Sequence, residues 1–229
     1  MKVGGLQKFS LIDYPEKISA IVFTQGCNFR CPYCHNPELV DPARYGPVIP
    51  KDEVLSFLES RRGKLDGVAV TGGEPTIQSD LVPFLESLKE MRYLIKVDTN
   101  GSHPSVLENL IEKGLVDYLA IDIKGPLERY GQIASVEVNT SRIEESIHII
   151  SASGIAHEFR TTVVRTLLSL EDLASVGRLL DKCSPYVLQT FVPGETLGSD
   201  LQMYTPYSKN ELATMQHLLR RDYPLIVVR

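Results

Sequence analysis

The stretch Ile18-Ser19-Ala20-Ile21-Val22-Phe23-Thr24, followed at once by Gln25-Gly26-Cys27-Asn28-Phe29-Arg30-Cys31-Pro32-Tyr33-Cys34, decides how the chain is read. Its first seven residues form a short apolar, β-branched run, the pattern of a buried strand. The polar, glycine- and cysteine-rich residues after it cannot continue that strand. Similar runs recur at Gly67–Thr71, Leu94–Thr99, Tyr118–Ile123, Glu158–Val164 and Tyr186–Val192. Helix-like stretches separate them, at Lys51–Arg62, Leu81–Met91, Pro104–Lys113, Arg142–Ala152 and Leu170–Asp181. A last helix over Lys209–Arg221 precedes a short strand at Leu225–Val228.

Strands alternating with helices imply βαβ units and a parallel sheet. Continuous apolar runs such as Tyr118-Leu119-Ala120-Ile121 suit strands buried on both faces. Pro50-Lys51-Asp52-Glu53 marks a helix start, and Gly114 and Gly154 stand where helix C-caps belong. About six such units fall short of a full eight-stranded barrel. A doubly wound sheet and an open, partial parallel β/α barrel both remain, and the motif positions favour the partial barrel. No linker divides the chain, so residues 1–229 are read as one domain. The polar stretch Gly125–Thr140 reads as a long loop following a strand, where functional loops sit.

Composition sets bounds on function. The chain has 229 residues, 43% of them apolar, and a formal net charge of −5. That is enough for one sizeable core, and the mild acidity offers no electrostatic footprint for nucleic acid. No apolar run is long enough to cross a membrane, and Met1–Ser10 lacks a signal-peptide pattern. A cytoplasmic protein among reduced thiols is expected.

Four cysteines are present, three of them within Cys27–Cys34 and the fourth, Cys183, far away. A tight cluster in a reducing compartment reads as a metal site rather than a disulfide framework. The spacing C-x3-C-x2-C after the first predicted strand places it at the C-terminal mouth of the sheet. Three thiolates are one short of saturating a cubane cluster. The unligated iron would keep an open position, where a ligand with an amine and a carboxylate can bind. Other readings compete. Cys31-Pro32-Tyr33-Cys34-His35 matches the haem-attachment pattern C-x-x-C-H but leaves Cys27 unexplained. A zinc site of three cysteines plus His35 is chemically sensible, although His35 directly follows Cys34. Buried structural cysteines are the bland alternative, and Cys183 is read that way.

Cys27, Cys31 and Cys34, with aromatic Tyr33 before the last of them, resemble the C-x3-C-x-aromatic-C motif of the radical S-adenosylmethionine (SAM) superfamily. The opening Gly5-Leu6-Gln7-Lys8-Phe9-Ser10-Leu11-Ile12-Asp13-Tyr14-Pro15 resembles a narrower group, the activating proteins of anaerobic (class III) ribonucleoside-triphosphate reductase. The resemblance implies a 4Fe–4S cluster on the three cysteines and SAM as cosubstrate. It implies reductive cleavage of SAM, with electrons from a flavodoxin or ferredoxin. Its product would be a glycyl radical on a partner enzyme, most fittingly the class III reductase.

The remaining motifs fall at strand ends. In Thr71-Gly72-Gly73-Glu74-Pro75 two glycines let backbone approach a ligand closely, and Glu74 can accept from an ammonium. The segment resembles the family's GGE motif for the SAM amino group. Asp98-Thr99-Asn100-Gly101 alone is a turn signal. By resemblance, Asp98, Thr99 and Asn100 lie near the SAM methionyl and ribose groups. In Asp122-Ile123-Lys124, alternation sets Asp122 and Lys124 on one side, and Lys124 suits the SAM carboxylate. The alternative is a surface charge pair. Arg160, among apolar neighbours on the fifth strand, needs an anion; a SAM carboxylate or Glu74 would serve, and a structural ion pair is the equal alternative. The sixth strand ends in Gln189-Thr190-Phe191-Val192-Pro193 without the histidine of pyruvate formate-lyase activases, so Gln189 offers a hydrogen bond in its stead. That departure counts against a pyruvate formate-lyase partner. His103, His148 and His157 lack a motif.

Two further functions stay open. One is radical SAM chemistry on a small molecule such as a nucleobase precursor. The other is a non-enzymatic zinc or iron–sulfur binding module.

Overall fold

The computed structural model describes residues 1–198 and 206–229. Eight strands stand in sheet order β1 to β8, the order of the chain: β1 Val3–Ser10, β2 Ser19–Thr24, β3 Gly67–Gly72, β4 Leu94–Thr99, β5 Tyr118–Asp122, β6 Ala156–Val163, β7 Tyr186–Thr190 and β8 Ile226–Val228. The helices are α1 Pro37–Val40, α2 Lys51–Glu59, α3 Leu81–Glu90, α4 Pro104–Glu112, α5 Tyr130–Ala134, α6 Thr140–Ala152, α7 Leu170–Leu179 and α8 Lys209–Leu219. This is the open, mostly parallel α/β arrangement expected from the alternation of runs. No described helix is long and apolar enough to cross a membrane.

Two compact units make up the chain. The first comprises Met1–Asn28, Asn36–Thr99 and Ser105–Leu119. The second comprises Phe29–His35, Asn100–Pro104 and Ala120–Arg229. β5 begins in the first and ends in the second.

In the first unit β2, β3 and β4 pair in parallel, with Ile21 opposite Ala69 and Ala69 opposite Lys96. Ala20, Ile21 and Val22 on β2, and Val68, Ala69 and Val70 on β3, are all buried. Burial on consecutive positions means that both faces are covered, which explains why these strands read as unbroken apolar runs. β1 is the strand that no apolar run announces. It carries Gly4 and Gly5, pairs antiparallel with β2, and breaks register twice. A Cβ on Gly4 would stand 2.5 Å from Leu39 Cδ2, so the glycine lets α1 lie against the strand.

In the second unit β6, β7 and β8 pair in parallel, with Arg160 opposite Val187 and Thr162 opposite Gln189. Ser169 caps α7 and Ser208 caps α8, each through a reciprocal bond with the acidic residue three positions on. The expected polar loop over Gly125–Thr140 is more ordered than its composition suggests. It contains α5, whose Tyr130, Ile133 and Ala134 are buried. Gly114 and Gly154 have φ of +62° and +72°, the left-handed conformation that ends a helix.

Candidate active site

Every candidate residue but one lies at or just beyond the C-terminal end of a strand. Cys27 follows β2, Gly72 closes β3, Asp98 and Thr99 close β4, and Asp122 closes β5. Gln189 is half-buried near the end of β7. Arg160 sits in the middle of β6.

In the first unit the turn after β3 is fastened to the turn before Cys27. Gly73 N–H donates to Thr24 O at 2.8 Å, and Glu74 N–H to Gly26 O at 2.7 Å. A Cβ on Gly73 would lie 2.0 Å from Gly26 O. One on Gly72, whose φ is +113°, would lie 2.4 Å from Thr24 N. The glycines were expected to admit a ligand. The protein's own backbone also approaches them closely, so Gly72 and Gly73 build the turn that leads into Cys27.

Glu74 is 1% exposed, and three donors converge on its Oε1: Thr76 N–H at 3.0 Å, Thr76 Oγ1 at 2.5 Å and Thr99 Oγ1 at 2.6 Å. They fix the carboxylate and couple the ends of β3 and β4. Next to Thr99, Asp98 is ion-paired with Lys96, a lysine only 2% exposed that also lies 5.9 Å from the Tyr118 ring centre. Sequence reasoning passed over Lys96. The available signal was a lysine within an apolar parallel strand, two positions before Asp98 and so on its face.

In the second unit the cysteine loop is held from beneath. Arg30 N–H donates to Ala134 O at 2.9 Å, and Phe29 sets its ring edge-on to Tyr130 at 6.2 Å. Cys34 N–H closes a turn onto Cys31 O at 3.0 Å. Cys31 and Tyr33 are buried. Burial raises the Cys31 thiol pKa, and the nearby Lys124 ammonium opposes that shift. Tyr33 is likewise pushed up by burial, and its hydroxyl lies beside the Cys31 thiol, favouring the thiolate.

Asp122 is shared by two cations. Arg160 Nε donates to its Oδ1 at 2.7 Å, and Lys124 Nζ to its Oδ2 at 3.3 Å. Burial alone would raise the Asp122 pKa, but Arg160 and Lys124 outweigh it and hold the carboxyl well below the usual range. Burial would lower Lys124, and Asp122 in turn keeps it firmly protonated. Arg160 thus has Asp122 as an anion, the structural ion pair weighed as the alternative to SAM or Glu74. The Lys124 side chain is 16% exposed, so its pairing with Asp122 is not the surface charge pair weighed as the alternative. Arg160 also lies 3.9 Å from buried Glu158, which Arg229 meets at 2.8 Å.

Asn100 realises its turn propensity, its Oδ1 accepting from Ser102 N–H at 3.0 Å and Ser102 Oγ at 2.6 Å. His35 is tied to Val192 O at 2.7 Å, a bond in which the ring nitrogen donates, so the structure gives this histidine a partner other than a metal. Cys183, read as structural, is exposed and follows the end of α7.

None of the four cysteines is in a disulfide. Among the described residues no three His, Cys, Asp or Glu side chains gather tightly enough to share one ion. A cubane makes a looser demand, because each thiolate takes its own iron. A set of three cysteines in eight residues, with no disulfide among them, therefore has the donor chemistry of a cluster rather than of a single ion.

Residues 21–183 match the family model of the radical SAM superfamily, and the chain belongs to that superfamily. Members of it carry a 4Fe–4S cluster and use SAM, so this chain is a radical SAM enzyme. It resembles glycyl-radical enzyme activases in particular. A Methanocaldococcus jannaschii protein provisionally named glycyl-radical enzyme activating enzyme is 30% identical over 99% of this chain and 95% of its own length. The pyruvate formate-lyase-activating enzyme of Clostridium pasteurianum is 26% identical over 86% of this chain and 83% of its own. The 7-carboxy-7-deazaguanine synthase of Thermococcus kodakarensis is 25% identical over 78% and 76%. In fold, the chain is similar to Streptococcus suis SuiB bound to SAM, with a TM-score of 0.66 at 14% identity over 91% of this chain and 51% of that one.

Proposed function

We propose that this enzyme is a glycyl-radical-enzyme activase whose partner is an anaerobic ribonucleoside-triphosphate reductase, and that residues 1–229 act as a single radical SAM domain. The observation that carries this is the full-length match to the M. jannaschii protein named for glycyl-radical enzyme activation. That match includes the N-terminal segment by which the sequence resembles reductase activators. Phe9, Leu11 and Ile12 in this segment are 56%, 63% and 89% exposed, consecutive apolar surface of the kind a protein substrate would cover.

Cys27, Cys31 and Cys34 hold the cluster in this proposal, and Tyr33 packs beside it. A reduced cluster bound there would supply the electron for reductive SAM cleavage, the chemistry that would lead to hydrogen abstraction from a glycine Cα of the partner. The protein's own groups bind and orient SAM. Glu74, fixed by Thr76 and Thr99, receives the SAM ammonium. Lys124 and Arg160 attract the SAM carboxylate. Lys124 and Arg160 both meet Asp122, and Arg160 and Arg229 both meet Glu158, so the cations are already oriented where a carboxylate ligand would enter. Asp98, Thr99 and Asn100 line the methionyl and ribose groups, and Gln189 adds a hydrogen bond. A flavodoxin or ferredoxin delivers the electron in a reducing cytoplasm.

The similarity to 7-carboxy-7-deazaguanine synthase favours a second proposal, a small nucleobase-like substrate at the same site. Isotope transfer separates the two. A reductase carrying α-deuterated glycine should pass deuterium into 5′-deoxyadenosine. Product free of deuterium in its presence would argue against the activase. Deuterium taken instead from a labelled small molecule would establish the second.

A further inference from the structure

The cysteine loop is gripped from a second side by residues far away in sequence. Leu197 N–H donates to Cys34 O at 2.9 Å, and Gly198 N–H to Pro32 O at 2.8 Å. His35 donates through Nε2 to Val192 O at 2.7 Å and lays its ring 5.3 Å from that of Phe191. These residues all belong to the second unit. Phe191 and Thr196 are 1% and 3% exposed, while Val192 between them is 64% exposed. Thr196 Oγ1 also donates to Gly198 O at 3.2 Å. The segment is thus anchored at both ends, bowed outward in the middle, and bonded to the carbonyls of Pro32 and Cys34.

We propose that Phe191–Gly198 is a strap that holds the cysteine loop in its cluster-receiving conformation, with His35 as the side-chain latch. The physical reason is pre-organisation. A loop carrying Cys31 and Cys34 must keep its thiols aimed while iron is gained or challenged, and its carbonyls need partners wherever water is excluded. The strap supplies two backbone donors, and His35 supplies a side-chain bond that returns from loop to strap. His35 is therefore a positioning residue rather than a ligand. The proposal rests on the cysteines being the cluster ligands.

His35 is exposed, so replacing it opens no cavity in the core. The test uses the full chain with His35→Ala, and with His35→Gln, whose side-chain N–H can replace Nε2. In cluster-free protein, His35→Ala should speed hydrogen exchange at the Leu197 and Gly198 amides by roughly fivefold, the factor equivalent to one net hydrogen bond. In reconstituted protein, the same variant should lose iron to a chelator several-fold faster, with an unchanged thermal midpoint of the cluster-free chain. His35→Gln should restore both. Unchanged amide exchange in His35→Ala would overturn the strap. Faster exchange with unchanged iron loss would overturn its role at the cluster. A wild-type chain that takes up no iron while its strap amides stay protected would defeat the cluster assignment on which the proposal stands.

Discussion

Lys96 and Asp98 form an ion pair on one face of β4, with the lysine side chain 2% and the aspartate 15% exposed. A buried lysine survives only with its partner, and removing one member leaves an uncompensated charge. Asp98→Asn, which leaves the buried lysine without its carboxylate, should therefore destabilise the chain by about 3 kcal/mol or more. Lys96→Met combined with Asp98→Asn should recover much of that loss. Denaturant unfolding of the single and double variants measures the difference, and equal losses in both would show that the pair is not coupled.

Gly73 and Gly114 make opposite demands. A Cβ at Gly73 meets Gly26 O at 2.0 Å, whereas one at Gly114 meets nothing within 4 Å. Gly73→Ala should force the β3 turn away from the Cys27 turn and cost about 3 kcal/mol. Gly114→Ala should cost only about 1 kcal/mol, from its positive φ. Thermal unfolding of both variants ranks them, and the reverse ranking would contradict the packing described.

Asp122 gives the acid limb of stability a particular shape. Its folded pKa lies below the unfolded value of about 3.9 because Arg160 and Lys124 outweigh burial. A depressed carboxyl adds stability that is fully present above the unfolded value and is lost as pH falls through the folded one. Stability should therefore decline below about pH 4. Asp122→Asn should be less stable at neutral pH and show a shallower decline in acid. Unfolding curves from pH 2 to 7 would reveal it.

Glu74 should be sensitive to length as well as charge. Glu74→Gln keeps the contacts of Oε1 with Thr76 and Thr99 in reach but removes the charge offered to an ammonium. It should fold near normally and weaken SAM binding about tenfold or more, in line with the loss of a charge-assisted bond. Titration calorimetry on reconstituted protein checks this, and wild-type affinity in the variant would remove Glu74 from the site.

Much of this architecture can be read along the chain because parallel strands bury both faces. Val68-Ala69-Val70 and Leu119-Ala120-Ile121 announce themselves by composition. β1 does not, because Gly4 is there for the close approach of Leu39, which only the fold reveals. The cysteine spacing and the residues at strand ends mark the site locally. What stays hidden is which group each residue meets. The glycines of Gly72-Gly73 receive backbone, Arg160 meets Asp122, and His35 reaches Val192, 157 positions away. Pairings of that kind depend on how distant strands end, and no local pattern encodes them.

Reductive SAM cleavage by the wild type and by Cys31→Ala tests the account most directly. Reconstituted without oxygen, the wild type should carry about four irons per chain and form 5′-deoxyadenosine when reduced in the presence of SAM. Cys31→Ala should form none, and 5′-deoxyadenosine at the wild-type rate from that variant would contradict the account.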